Sequence, residues 1–143
     1  MADWLLLHYK LPSEPSAPRV YVWRKLKRLG AVLFQDAVWV LPQNPRTLEQ
    51  FQWLAAEIRE MGGETALWQA QLTLKDSREE LVREFQAQSD LAYAEILEQL
   101  DRPDPDLEGL SRQYQQLSQK DYFPSRMGQR AREALLSKRG GLS

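Results

Sequence analysis

Two kinds of hydrophobic pattern share this chain, and the switch between them near residue 75 limits what it can fold into. Up to that point short apolar runs of strand length alternate with two stretches of helical period; beyond it only helical spacing recurs. Residues 4–9 (W-L-L-L-H-Y) are nearly continuous in apolar side chains, as a strand buried on both faces requires. Pro12, Pro15 and Pro18 stop that run, and a helix follows that Gly30 closes at the position after its last turn. Ala31–Phe34 and Val38–Leu41, parted by Gln35-Asp36-Ala37, have the form of a hairpin. Asn44 and Pro45 form a cap and first-turn pair that opens a helix through Met61. Glu64–Leu72 alternates as a last strand, with Trp68, Ala70 and Leu72 set against Gln69 and Gln71.

The order β-α-β-β-α-β over residues 1–75 predicts an α+β, ferredoxin-like antiparallel sheet with two helices on one face. Residues 76–139 predict a helical extension. Ser77 and Glu80 form a capping box for a helix to Leu100, and Asp101-Arg102-Pro103-Asp104-Pro105 breaks it. Leu107, Leu110, Tyr114 and Leu117 mark the seam of a helical hairpin. Ser125 then caps a short basic helix, Arg126–Lys138, and residues 140–143 read as a disordered tail. Two helices cover one sheet face only, so Leu6, Leu33 and Trp39 are expected to need another cover. A second copy of the chain in a homodimer would supply it, or else the C-terminal helices.

Charge is segregated strongly for a chain whose net value is −1. Residues 1–42 carry +3, residues 43–75 carry −1, residues 76–108 carry −8 and residues 109–143 carry +5. A partner senses charge within roughly 8–10 Å, so these local values matter more than the sum. Arg19–Arg28 (R-V-Y-V-W-R-K-L-K-R) holds five basic residues and no acid. On a helical wheel Val22, Trp23, Leu26 and Leu29 turn to one side, while Tyr21, Arg24, Lys25, Lys27 and Arg28 turn away. Such a strip attracts polyanions, of which nucleic acid is the commonest in cells; the alternative is a solvated helix face. The candidate nucleic-acid-binding residues are Arg19, Arg24, Lys25, Lys27 and Arg28, with Arg126, Arg130 and Arg132 of the last helix.

Catalytic chemistry has few sources here. The chain has no cysteine and one histidine, His8, in the middle of the first strand, where a hydrogen-bonded core residue is expected. The acids of 76–108 are spaced for solvation and for pairing with Arg78 and Arg83 one turn away, not as a metal site. No phosphate-cradling loop or nucleophile elbow is present, so neither an enzyme nor a bound cofactor or metal is expected. No apolar run approaches the roughly 18 residues that span a bilayer, and the N-terminus lacks signal-peptide form, which predicts a cytoplasmic protein without membrane contact. Trp4, Trp39 and Trp68 are expected in the core and Trp23 at its edge. Trp53 lies opposite Leu54 and Ile58, so it should sit under the C-terminal helices or in a subunit interface.

Several separated motifs resemble those of one family. They are W-L-L-L-H-Y-K-L-P (4–12), R-V-Y-V-W-R-K-L-K-R-L-G-A-V-L-F-Q-D-A-V-W-V-L-P (19–42), R-E-E-L-V-R-E-F (78–85), A-Y-A-E-I-L (92–97) and K-D-Y-F-P (120–124). Their order over nearly the whole chain resembles the N-terminal domain of the ChrB chromate-resistance regulators. The pattern also looks like the ferredoxin-like domains of the phenylacetate-pathway repressor and of a small CRISPR-associated subunit. The resemblance implies a regulator that responds to chromate and binds the operator of an efflux operon. The family's second, C-terminal domain is not in this chain, so a separately encoded one is an expected partner. The family's turn carries Asp-Gly where Asp36-Ala37 stands here, which disfavours a type I′ turn. Lys10 stands where metal-dependent nuclease relatives carry an Asp, and an ammonium cannot ligate Mg²⁺.

Overall fold

The apolar run near the N-terminus becomes a strand paired on both sides. The computed structural model describes residues 3–140. Its elements are β1 (Trp4–Lys10), α1 (Ala17–Leu29), β2 (Val32–Phe34), β3 (Val38–Pro42), α2 (Pro45–Glu60), β4 (Glu64–Ala70), α3 (Lys75–Leu100), α4 (Leu107–Gln119) and α5 (Arg126–Gly140). Four strands form one antiparallel sheet in the order β2-β3-β1-β4. The fold is therefore α+β. Chain contacts divide it into two compact units, Met1–Leu81 and Val82–Ser143, and the division falls inside α3. The expected tail lies mostly outside the described residues; Gly140 alone of it is described, at the end of α5. No described helix is long and apolar enough to cross a membrane.

Register decides which side chains share a face of the sheet. Leu7 pairs with Trp39, and Trp39 in turn with Leu33. Leu6 pairs with Val40 and Trp68, and Val40 with Val32. Cross-strand partners point the same way and successive residues alternate, so Leu6 lies on the face opposite Leu33 and Trp39. This corrects the sequence-based grouping of the three on one bare face. Leu5, Leu7, Trp39 and Leu41 are buried on one face, and Trp4, Val32, Phe34 and Val40 on the other. Leu33, on the edge strand, remains exposed.

Local chemistry sets the boundaries of several elements. Gly30 takes φ 81°, a left-handed value that glycine reaches without strain, and its N–H returns to the last carbonyls of α1. The hairpin turn centres on Gln35 (φ 52°) and Asp36 (φ 55°), and Ala37 N–H donates to Phe34 O at 3.1 Å. The left-handed pair that a type I′ turn needs is thus Gln35-Asp36, so Ala37 avoids that conformation and the expected difficulty at Asp36-Ala37 does not arise. At α2, Asn44 and Thr47 form a reciprocal capping box.

Three expectations in this region need correction. β4 ends at Ala70, before Leu72. Helix α3 begins at Lys75, ahead of the Ser77–Glu80 box; Arg78 N–H already donates to Leu74 O, and Ser77 N–H donates to the Asp76 side chain. Ser125 precedes α5, but its hydroxyl donates to the Asp90 carboxylate.

The second unit has its own core, with Tyr93, Ile96 and Leu100 of α3, Leu110 and Leu117 of α4, and Ala131 and Leu135 of α5. Leu107 and Tyr114 pack against it. All three helices contribute, so the seam of α4 meets more than one neighbour. Gly128 makes the approach of α5 possible, because a Cβ there would lie 3.0 Å from the Tyr93 ring.

Candidate nucleic-acid interface

Helix α1 is amphipathic by construction. Val22, Leu26 and Leu29, spaced four and three residues apart, are buried. Pro18 lies in the first turn, where its missing N–H costs nothing, and Lys27 and Arg28 lie in the last turn, where cations favour the helix dipole. The first turn carries no acid. Arg19, Arg24, Lys27 and Arg28 are exposed and Lys25 is half-buried. Among the described residues no acid forms an ion pair with Arg24, Lys25 or Arg28. Arg19 donates to Ser13 O at 3.3 Å, which anchors it to the proline-rich loop.

Trp23 is 52% exposed, so it belongs to the cationic surface and not to the core edge. The wheel angle explains the correction: Trp23 follows Val22 by 100°, and only one of two adjacent residues can centre on the buried stripe. Val20, Trp23, Arg24 and Lys27 form one outward row, at three- and four-residue spacing; Tyr21, Arg24, Lys25 and Arg28 form the next. The Tyr21 hydroxyl donates to the Glu57 carboxylate of α2. That bond raises the Tyr21 pKa above its usual value, and Arg28 opposes the rise. Tyr9 is also raised, chiefly by burial, with Arg19 opposing.

Other aromatics depart from expectation too. Trp68 is 55% exposed, and His8 is exposed as well, so neither is a core residue. Both lie on the Leu6 face of the sheet, where Trp68 Nε1 donates to His8 Nε2 at 2.8 Å. Trp53 is 65% exposed in the single chain. Trp4 and Trp39 are buried as expected.

The basic residues of α5 do not form a single strip. Arg126 and Arg130, one turn apart, are exposed together, and Arg130 approaches Met127 Sδ at 4.0 Å. Arg132 follows Arg130 by 200° and lines a groove against α4 instead. That groove was missed in the sequence, where only the seven-residue spacing of Arg132 and Arg139 hinted at it. Among the described residues no group of three or more His, Cys, Asp or Glu could hold a metal ion.

Residues 19–105 match the family model described as Protein ChrB, N-terminal. Protein ChrB of Cupriavidus metallidurans is 32% identical over 99 residues, covering 68% of this chain and 29% of that protein. The chain thus aligns with less than a third of the curated relative's length. No solved structure matches. The matched region begins at Arg19 and takes in α1, the sheet hairpin, α2 and β4, and so the chain belongs to the ChrB N-terminal family.

Proposed function

We propose that the chain is a non-catalytic, DNA-associated regulator of the chromate-resistance response, with α1 as its main contact to double-stranded DNA. The observation that carries this reading is the outward face of α1, where Arg24, Lys25 and Arg28 form no ion pair and lie beside the row that holds exposed Trp23, inside the family-matched region. Arg19 and Lys27 widen the row, and Arg126 and Arg130 of α5 add a separate cationic spot. Cations there exchange condensed counterions for phosphates, so affinity falls steeply with salt. The element order and the β2-β3-β1-β4 sheet support a ferredoxin-like assignment for the first unit.

Fluorescence anisotropy with the duplex upstream of the chain's own operon tests the proposal. Binding at about 50 mM salt is expected, with the log–log salt slope falling by about 1 for each contact removed in Arg24→Gln, Lys25→Gln and Arg28→Gln. Absence of binding to every duplex at that salt rejects it.

A second reading is favoured by Trp53, whose 65% exposure suits docking onto another protein. In that case the chain is half of a split regulator and binds a separately encoded C-terminal domain, or a second copy of itself. Light scattering separates these: a monomer that captures no such domain removes this reading.

A further inference from the structure

The sheet ends on a strand that lacks the common defences against pairing. Among the described residues, the backbone of β4 bonds to β1 and to Asp3, and no strand lies on its other side. Alternate residues of such a strand direct their N–H and C=O groups away from the sheet. Edges are commonly blunted by shortness, proline, lysine or a bulge. The opposite edge, β2, has only three residues. β4 has seven (E-T-A-L-W-Q-A), with no proline or basic residue, and its charge is confined to Glu64 at the start. Its register with β1 is unbroken from Trp4↔Ala70 to Lys10↔Glu64, so no bulge turns it away. Trp68 is left 55% exposed on it.

The sequence of β4 is complementary to its own reverse. A two-fold axis perpendicular to the sheet sets two copies of an edge strand antiparallel, with each residue opposite one of the same face. The axis must therefore pass through a residue and not between two. Centred on Leu67, it pairs all seven positions: Leu67 with itself, Ala66 with Trp68, Thr65 with Gln69 and Glu64 with Ala70. A large ring then faces a small side chain, the two polar side chains are in hydrogen-bonding reach, and no like charges meet. Centring on Trp68 opposes two indoles, and centring on Ala66 sets Glu64 against Trp68; both leave a strand end unpaired.

We infer that β4 is a dimerisation edge, adding antiparallel to β4 of a second copy of this chain in the Leu67-centred register. Main-chain bonds supply the affinity, and the Trp68–Ala66 contacts on one face and the Leu67 pair on the other fix the register. Both faces of the sheet continue across such a join, so it differs from burying a bare face. It is also independent of the α1 row and of Trp53, because none of the paired residues lies on α1 or α2.

Sedimentation equilibrium and cysteine cross-linking of the full chain test the inference. Twice the 16.7 kDa chain mass is expected at tens of micromolar. The chain has no cysteine, so introduced thiols report the register without background. Leu67→Cys should give a disulfide-linked dimer on mild oxidation, because directly opposed residues lie about 4.5–5.5 Å apart at Cα, within disulfide reach. Thr65→Cys and Gln69→Cys should cross-link when mixed but not singly. Ala66→Lys should weaken the dimer about tenfold or more, with unchanged circular dichroism, and Trp53→Ala should leave it intact. The edge is overturned by a parent that stays monomeric at about 100 μM, by a dimer that Ala66→Lys does not weaken, or by failure of Leu67→Cys to cross-link. A dimer dissolved by Trp53→Ala overturns it as well, and moves the interface to α2.

Discussion

The two units solve the problem of a core in different ways. In Met1–Leu81 the core is apolar on both sheet faces, and Thr47, the buried polar residue among its described ones, is satisfied by Pro42 and Asn44 where β3 passes into α2. There Thr47 Oγ1 donates to Pro42 O at 2.6 Å and accepts from Asn44 N–H at 3.0 Å. In Val82–Ser143 the core is pinned by polar contacts far apart in sequence. Tyr93 of α3 donates to Asp121 at 2.9 Å, and Ser125 donates to Asp90. Strands close an apolar core by register alone, whereas helices slide unless directional bonds or close approaches fix them. The sheet unit should therefore respond to lost volume, and the helical unit to lost hydrogen bonds and to pH.

The largest expected effect is on the sheet unit. Phe51→Ala removes a fully buried ring and should cost about 3–5 kcal/mol in urea unfolding. A cost under about 1 kcal/mol would contradict the view of a tightly packed apolar core.

Tyr93→Phe should cost about 1–3 kcal/mol, because it strands an Asp121 carboxylate whose Oδ1 is already buried without a partner. The same variant sharpens the pH contrast. Burial first, and then the bond to Asp121, raise the Tyr93 pKa well above its ordinary value of 10.0. The folded state thus holds this proton more tightly than the unfolded chain. Its contribution is complete below pH 10 and is lost as pH rises toward the folded value. Alkaline unfolding followed by circular dichroism should show the loss in the parent and a shallower one in Tyr93→Phe; equal slopes would remove the distinction. Tyr9 and Tyr21 are raised in the same direction, so the sheet unit retains an alkaline response of its own in the variant.

The smallest effect tests the local satisfaction of Thr47. Asn44→Ala removes one half of the capping box and should cost about 1 kcal/mol, with little change of slope between pH 5 and 9. A marked pH dependence would show that the polar site at the start of α2 is not self-contained.

Much of this was legible in the residues. The ends of α1 and α2 follow from Gly30 and from Asn44-Pro45, because caps act within one turn and need no tertiary partner. The cationic row of α1 follows from helical spacing. Burial was less legible wherever two neighbours compete for one stripe or where a strand's cover is unknown. Trp23 lost the buried stripe to Val22 and Leu26, and His8 and Trp68 satisfy each other on an exposed part of the sheet. The start of α3 shifted because the Leu74 carbonyl accepts the first turn's bond, which makes the Ser77 box unnecessary.

By itself the sequence determined the number and order of the elements, the family, and the concentration of positive charge on α1, since period, capping and charge are properties of neighbouring residues. Only the tertiary structure decided which face each strand residue occupies, because a register shift of one residue inverts every face. It also decided that Arg132 parts from Arg126 and Arg130 and lines a groove with Arg139 and Ser111. That grouping requires α4 and α5 to pack side by side, and no local pattern encodes the distance between them.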